Sequence, residues 1–331
     1  METLERKGYE AGLQDYVDRE KAAVDLMNSV GRLMYDRGVE LVFFRNHLLD
    51  ISISEVMKHF DYASEVVKKP IDVHVTANVA RGLLELDLAP SKIDIGKLTY
   101  EFIASKSTSV NDFLSGHLKD FIGQDKHKFK PQDVVLYGFG RIGRIAAREL
   151  VKQAGKGQQL RLRAIVTRTL TDEEIVKRAA LLRNDSVHGA FKGTVIEDIA
   201  NRTLIINGQE VQLIAASKPE DIDYTQYGIN NALVIDNTGA FTKRADLERH
   251  LKGKGVAKVL LTAPGKEIPN IVYGINHKEQ DIENEKIFSA ASCTTNAISP
   301  ILKVVEDEVG IEKGHIEAVH AYTNDQNLLD N

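Results

Sequence analysis

The spacing of apolar residues changes partway along the chain and divides it into two parts. In the first part, apolar side chains recur at the three-to-four-residue spacing of amphipathic helices, as at Val17, Val24, Met27, Val30 and Met34. Gly38 is placed to end this helix, and Ser52 with Glu55 has the capping-box spacing that starts a second one. Further helices are expected near residues 74–87, 91–105 and 109–122. The pattern predicts an all-helical N-terminal extension that, with a linker, occupies residues 1–130.

Residues 123–132 are polar and rich in lysine, a composition typical of a linker. Beyond them, short apolar runs alternate with helical stretches. The runs are Val134–Tyr137, Leu162–Val166, Ala232–Ile235 and Val259–Leu261, and the helical stretches are Ile142–Lys152, Asp172–Leu182 and Lys243–Leu251. This alternation predicts an α/β fold in which helices cover a doubly wound parallel sheet.

Composition excludes several classes of protein. The formal charge of −5 argues against nucleic acid or an anionic membrane as the main partner. One cysteine cannot form an internal disulfide and favours a reducing compartment. No apolar run approaches the ~20 residues that span a bilayer, and the N-terminus lacks the apolar core of a signal peptide. We therefore expect a cytoplasmic location. No metal-ligand spacing is evident, and no metal is expected.

A glycine-rich sequence follows the first apolar run and opens the first helical stretch. It consists of Gly138, Phe139, Gly140, Arg141, Ile142 and Gly143. Between a strand and a helix, the three glycines allow a tight turn, close approach of the backbone to a pyrophosphate, and close packing of the helix on the strand. The phosphates would then lie at the helix N-terminus. The sequence predicts a Rossmann-type NAD(P)-binding domain over residues 131–292; a glycine turn without a ligand is the alternative.

The second predicted strand ends at Thr167 and Arg168, without the carboxylate that usually binds the ribose 2′-hydroxyl of NAD. Acidic residues follow only at 172–174, within the next expected helix. Thr167 does not repel a 2′-phosphate, and Arg168 could attract one. We therefore expect NADP to be accepted, alone or beside NAD; the alternative is that Arg168 is a solvated surface charge.

Cys293 lies where an apolar run, Lys286 to Ala290, gives way to a helical run beginning at Thr294. The positive end of a helix favours the nucleophilic thiolate form of a cysteine. A lone cysteine is more often a buried apolar residue, but His320 follows on a second strand-like run and could act as its base. The pair indicates nucleophilic catalysis on a substrate held beside the dinucleotide.

Six segments together resemble phosphorylating glyceraldehyde-3-phosphate dehydrogenase. They are residues 138–144 (GFGRIGR), 184–189 (NDSVHG), 237–241 (NTGAF), 262–266 (TAPGK), 291–296 (ASCTTN) and 319–326 (VHAYTNDQ). The resemblance covers residues 133–331, while residues 1–130 resemble the helical extension of a longer bacterial subgroup. It implies reversible oxidation of glyceraldehyde 3-phosphate with NAD or NADP and inorganic phosphate, in glycolysis or gluconeogenesis, by a protein that is usually a homotetramer.

The resemblance also implies roles for individual residues. Cys293 matches the family nucleophile and His320 its base, 27 residues later. Ser292, Thr294 and Thr323 match substrate-phosphate contacts. Cofactor contacts are implied for the backbone of Arg141 and Ile142 and for Lys218, Thr238, Gly239 and Thr262. Thr167 stands where the family has its ribose-binding aspartate, which is a departure.

The resemblance makes residues 293–331 the incomplete beginning of an α+β catalytic domain. On that basis we expect the sequence to be a fragment with little or no dehydrogenase activity. One nearby alternative keeps the chemistry with another aldehyde, such as erythrose 4-phosphate. Another is a non-catalytic NAD(P)-binding regulatory module.

Overall fold

The structure is a computed structural model that describes residues 8–123, 131–152 and 160–320. These residues form two compact units, the first ending at Gly123 and the second beginning at Pro131. Most of the predicted linker, residues 124–130, lies outside the described residues. Within the described ranges, no helix combines the length and the apolar character needed to cross a membrane.

The first unit is built mainly from helices, as predicted. They are α1 (Tyr9–Arg37), α2 (Ile53–Glu65), α3 (Val73–Glu85), α4 (Ile95–Ser105) and α5 (Val110–His117). Gly38 ends α1 in the left-handed conformation at φ +69°. Ser52 and Glu55 form the reciprocal hydrogen bonds of a capping box at the start of α2. Both helix signals are therefore confirmed.

The first unit is nevertheless not all-helical. It contains a three-stranded sheet of β1 (Val39–Phe43), β2 (Asn46–His47) and β3 (Ser91–Asp94), with β1 between the other two. The prediction failed here because these strands have only five, two and four residues, too few to show a reliable period. Strand β3 also takes the place of the first turn of the helix expected at residues 91–105, which begins only at Ile95. Four of the five residues of β1 are buried, so the sheet belongs to the core of this unit.

The second unit has the predicted α/β architecture. Its strands are β4 (Gln132–Tyr137), β5 (Leu160–Thr167), β6 (Asn184–Asp185), β7 (Gly189–Ala190), β8 (Val195–Asp198), β9 (Thr203–Ile206), β10 (Gln209–Ala215), β11 (Ala232–Asp236), β12 (Val256–Leu261) and β13 (Ile287–Ser289). The main sheet has the order β13-β12-β11-β4-β5-β10-β9-β8, parallel from β13 to β10 and antiparallel beyond. A separate hairpin joins β6 and β7.

Helices α6 (Arg141–Lys152), α7 (Asp172–Arg183) and α8 (Arg244–Leu251) are the ones that the periodicity predicts. Side chains of β4 alternate between two buried clusters. Val134 and Leu136 pack with α6 and α7, whereas Val135 and Tyr137 join a cluster that contains Tyr224. Burial on both faces explains why the parallel strands read as continuous apolar runs.

The last helix, α9 (Cys293–Val309), differs from all of these because none of its residues is buried. The chain then continues without regular secondary structure to His320. Up to His320, the described part of the strand-like run expected there is therefore not a strand. No described strand pairs with it, and a single extended segment exposed to solvent does not form a strand alone.

Candidate cofactor and cysteine site

The glycine loop between β4 and α6 has the geometry that its sequence predicts. Gly138 lies at φ +92°, where a Cβ would also contact the Cγ2 atom of Thr238 at 2.9 Å. A Cβ at Gly143 would collide with the carbonyl oxygen of Gly138, so the helix passes close to the strand. At Gly140 a Cβ would meet open space. The first and third glycines are thus needed by the turn itself, and the second leaves backbone open to a ligand.

A cleft of about 900 Å³ opens above this loop, along the carboxyl ends of the parallel strands. Ligands bind at this edge in open α/β sheets. The candidate residues that line it are Gly138, Phe139, Gly140, Arg141, Ile142, Thr167, Arg168 and Thr238. The candidates that do not line it are Gly143, Lys218, Gly239 and Thr262. The open second glycine, the cleft and the helix N-terminus together fit a dinucleotide.

Thr262 instead forms hydrogen bonds to Asp236, next to the turn that lines the cleft. Its backbone N–H and its hydroxyl both donate to the carbonyl oxygen of Asp236, at 3.1 and 3.0 Å. The carboxylate of Asp236 accepts from the N–H and hydroxyl of Thr238, at 2.9 and 2.7 Å. Its second oxygen lies 2.8 Å from Nε2 of His250, and neither side chain is accessible to solvent. This buried pair holds the turn that packs against Gly138, and no motif signals it in the sequence.

A second buried carboxylate, that of Asp185, pairs with two arginines of α6, Arg141 and Arg144. Burial by itself would raise the pKa of Asp185. The backbone N–H and ring of His188, the N–H of Val187 and the guanidinium of Arg144 all bond to it, and together they hold its pKa well below the usual range. Arg141 lies 3.6 Å away and also donates to Ser186. These contacts place Arg141 in the cleft wall.

Sequence reasoning did not assign the three charged residues of α7 that line the cleft: Glu174, Lys177 and Arg178. Glu174 accepts from the hydroxyl of Thr169 at 2.6 Å and from the N–H of Thr171 at 3.1 Å. The carboxylate missing from the end of β5 is thus supplied nearby from the next helix. The capping-box spacing of Thr171 and Glu174 was the available signal.

The cysteine loop joins β13 to α9 and is held by local hydrogen bonds. Ser289 accepts from the N–H of Ala291, which has φ +59°. Ser292 caps the helix by accepting from the N–H of Thr295 at 2.9 Å. Asn296 donates to the carbonyl oxygens of Ala290 and Ser292, at 2.7 and 2.9 Å. Cys293 is therefore the first residue of α9, and its side chain is exposed.

His320 lies beside this loop. Its Nε2 is 3.3 Å from the hydroxyl oxygen of Thr294, the residue that follows Cys293. The structure thus brings the predicted base to the residue next to the predicted nucleophile, across an exposed surface. Thr323 lies outside the described residues.

Cys293 and the glycine loop lie at the same edge of the sheet, because β13 and β4 run in parallel through β12 and β11. Three strand spacings, about 14 Å, separate the two strands. Cys293 does not line the cleft. The two parts of the site are therefore neighbours along one edge.

Comparison with known proteins agrees with this arrangement. Residues 132–244 match the family model for the glyceraldehyde 3-phosphate dehydrogenase NAD binding domain, and residues 292–331 match the model for its C-terminal domain. The glyceraldehyde-3-phosphate dehydrogenase-like protein of Pseudomonas aeruginosa (strain UCBPP-PA14) is 46% identical over 91% of this chain and 66% of its own length. The chain is of the glyceraldehyde-3-phosphate dehydrogenase type.

Other relatives match the second unit. Glyceraldehyde-3-phosphate dehydrogenase of Clostridium pasteurianum is 38% identical over 60% of this chain and 55% of its own length, and enzyme 1 of Bacillus subtilis (strain 168) has the same values. The chain thus spans between about half and two thirds of the length of these relatives. Because the Pseudomonas match covers 91% of this chain, it includes most of the helical unit as well as the second unit. The Rossmann prediction is confirmed, and NAD is the cofactor that the family model names.

Proposed function

We propose that the protein oxidises glyceraldehyde 3-phosphate to an acyl phosphate, using NAD or NADP and inorganic phosphate. The observation that carries the proposal is the loop at Cys293. It presents the only cysteine of the chain as an exposed first residue of a helix, at the sheet edge that holds the glycine loop, and His320 contacts the next residue, Thr294. A helix N-terminus and a neighbouring imidazole both favour a reactive thiolate.

In this proposal the sulfur of Cys293 attacks the aldehyde carbon and forms a thiohemiacetal. The imidazole of His320 takes the hydroxyl proton. A nicotinamide cofactor held at the glycine loop of residues 138–143 would supply the hydride acceptor for oxidation of the thiohemiacetal to a thioester. Phosphate then displaces the sulfur, which releases the acyl phosphate and restores the thiolate. Ser292, Thr294 and Thr323 are proposed to contact phosphate groups, as the family resemblance implies.

The glycine loop supports dinucleotide binding through residues 138–143, with Thr238 against the turn. NADP is proposed as a cofactor beside NAD because Thr167 is uncharged and Arg168 lines the cleft. We further propose a homotetramer, in glycolysis or gluconeogenesis and in the cytoplasm.

Thiol labelling tests the proposal. Cys293 is expected to react rapidly with iodoacetate near neutral pH, and Cys293→Ser removes all labelling. His320→Gln is expected to slow labelling by at least about tenfold, because the imidazole no longer stabilises the thiolate. His315→Gln is the matched control, since His315 lies in the same irregular segment and should not change the rate.

An unreactive Cys293 would contradict the catalytic proposal and favour the NAD(P)-binding regulatory module. If labelling is rapid, the extent to which glyceraldehyde 3-phosphate and erythrose 4-phosphate protect Cys293 from iodoacetate distinguishes the two substrates without requiring turnover. A clear preference for erythrose 4-phosphate would contradict the proposed substrate while leaving the chemistry intact.

A further inference from the structure

An acidic residue, Glu174, and a basic residue, Arg178, line the cleft one helical turn apart in α7. They lie near the end of β5, the second strand of the Rossmann fold, which contacts the adenosine ribose in folds of this type. A chain of contacts leads there from β5. The Thr167 hydroxyl donates to the carbonyl oxygen of Thr169 at 2.8 Å, and the Thr169 hydroxyl donates to Oε1 of Glu174 at 2.6 Å. Nη2 of Arg178 lies 4.0 Å from the same oxygen. Both α7 side chains therefore reach the region in which this fold holds the ribose 2′ position.

The partly buried positive charge of Arg178 has few polar partners. Its side chain is only 22% exposed, and its Nε has no hydrogen-bond acceptor among the described residues. Burial lowers the pKa of Arg178, and this effect is larger than the opposite effect of the negative charge on Glu174. A guanidinium in this state gains from a ligand that brings negative charge and two acceptor oxygens.

Glu174, in contrast, is well supplied with hydrogen bonds that stabilise its charged form. The hydrogen bond from Thr169, and then the one from the N–H of Thr171, lower the pKa of Glu174, so it is ionised at neutral pH. A carboxylate can accept a hydrogen bond from a ribose 2′-hydroxyl, and it repels a 2′-phosphate. Lys177 and Arg168 also line this part of the cleft, so the positive charges outnumber the negative one.

We propose that Arg178 binds the 2′-phosphate of NADP and that Glu174 opposes it by favouring the 2′-hydroxyl of NAD. The pair then sets the ratio of the affinities for the two cofactors. The inference rests on the proposed dinucleotide binding. In this proposal, α7 supplies the residues that select between NAD and NADP, and Arg168, which follows β5, contributes less.

Direct titration of the full chain with NADPH and NADH tests the pair, with dissociation constants read from nicotinamide fluorescence and no turnover required. Arg178→Gln is expected to weaken NADPH binding by about 10- to 100-fold, the range for a hydrogen bond to a charged group, and to change NADH binding little. Glu174→Gln is expected to shift the NADPH-to-NADH preference the other way by at least about fivefold. Glutamine also keeps the capping box.

Two control variants accompany them. Glu173→Gln removes a neighbouring charge from α7 that does not line the cleft, so the ratio should stay unchanged. Arg168→Gln should lower NADPH affinity less than Arg178→Gln does. Arg178→Lys keeps the charge without the bidentate fork and should recover part of the lost affinity.

Calorimetry with adenosine 2′,5′-bisphosphate and AMP repeats the comparison without the nicotinamide. If Arg178→Gln folds and leaves the NADPH-to-NADH ratio unchanged, the inference is wrong even though dinucleotide binding stands. If Arg178→Gln does not fold, an unchanged ratio in Glu174→Gln overturns it. If the unaltered chain binds neither nucleotide, the proposed function itself fails.

Discussion

The glycine loop and the cysteine loop are both strand-to-helix turns at one edge of the same sheet, yet they are stabilised in different ways. The glycine loop is built into packed structure: α6 lies against β4, and the turn at Thr238 fills the space beside Gly138. The cysteine loop opens a helix with no buried residue. Its shape depends on hydrogen bonds among Ser289, Ser292 and Asn296 and their neighbours.

The comparison teaches that local hydrogen bonds can form the helix start at Cys293 although the helix that follows has no buried residue. Helix α9 exposes apolar side chains, including Ile301, Val304 and Val309, each more than 60% accessible. The loop before it nevertheless has each capping hydrogen bond in place. Packing therefore determines the glycine loop, while hydrogen bonds determine the cysteine loop. Those of Ser292 and Asn296 are short-range, and those of the buried Ser289 also reach Ala263 and Asn270.

The largest effect is expected from Gly143→Ala, which breaks the packed loop. Its Cβ would collide with the carbonyl oxygen of Gly138, and both atoms belong to a rigid backbone. We expect a loss of about 3 kcal/mol in the free energy of unfolding, measured by urea denaturation, together with lost NADH binding.

Gly140→Ala is the matched control for this prediction, because its Cβ meets open space. Stability should change by less than about 1 kcal/mol, while NADH binding weakens if the backbone there meets the pyrophosphate. Equal stability losses in the two variants would contradict the packing argument.

An intermediate effect is expected from Glu285→Gln, at the packed start of β13. The hydrogen bond from Arg244, at 2.6 Å, lowers the pKa of Glu285 to about 2, despite its partial burial. The ordinary value is about 4.3. The stabilisation is therefore complete above about pH 4.5 and is lost as pH falls toward 2.

At pH 7, Glu285→Gln should lower the free energy of unfolding by about 1–2 kcal/mol. The difference from the unaltered protein should shrink when denaturation is repeated near pH 3. A difference that is independent of pH would mean that lost packing, and not the ionised carboxylate, causes the change.

The smallest effect on stability is expected from Asn296→Ala in the cysteine loop. Asn296 is exposed and bonds only carbonyl oxygens of the same turn, at Ala290 and Ser292. Stability should therefore change by less than about 1 kcal/mol, while the rate of iodoacetate labelling of Cys293 changes severalfold. Asn284→Ala, in a turn away from the cysteine, should leave the labelling rate unaltered. A large loss of stability in Asn296→Ala would mean that the loop is part of a cooperative core.

Much of the fold was accessible from local patterns. The alternation of apolar runs and helices predicted β4, β5, β11 and β12 to within a few residues, because strands buried on both faces are continuous in sequence. The short strands of the first unit were missed, since two to five residues show no reliable period. The part of the strand expected at His320 that the structure describes is irregular for a different reason: a strand needs a partner, and apolar alternation does not supply one.

The candidate site divides in the same way. By itself, the sequence determined the glycine loop and the position of Cys293 at a helix start, because neighbouring residues specify turns, caps and helix ends. Only the tertiary structure decided that Asp236 and His250 support Thr238, and that Glu174 and Arg178 reach the cleft. His250 lies 14 residues beyond Asp236 in the sequence, and α7 is separated from the glycine loop by α6 and β5. Contacts of this kind exist only after the sheet has assembled its strands side by side.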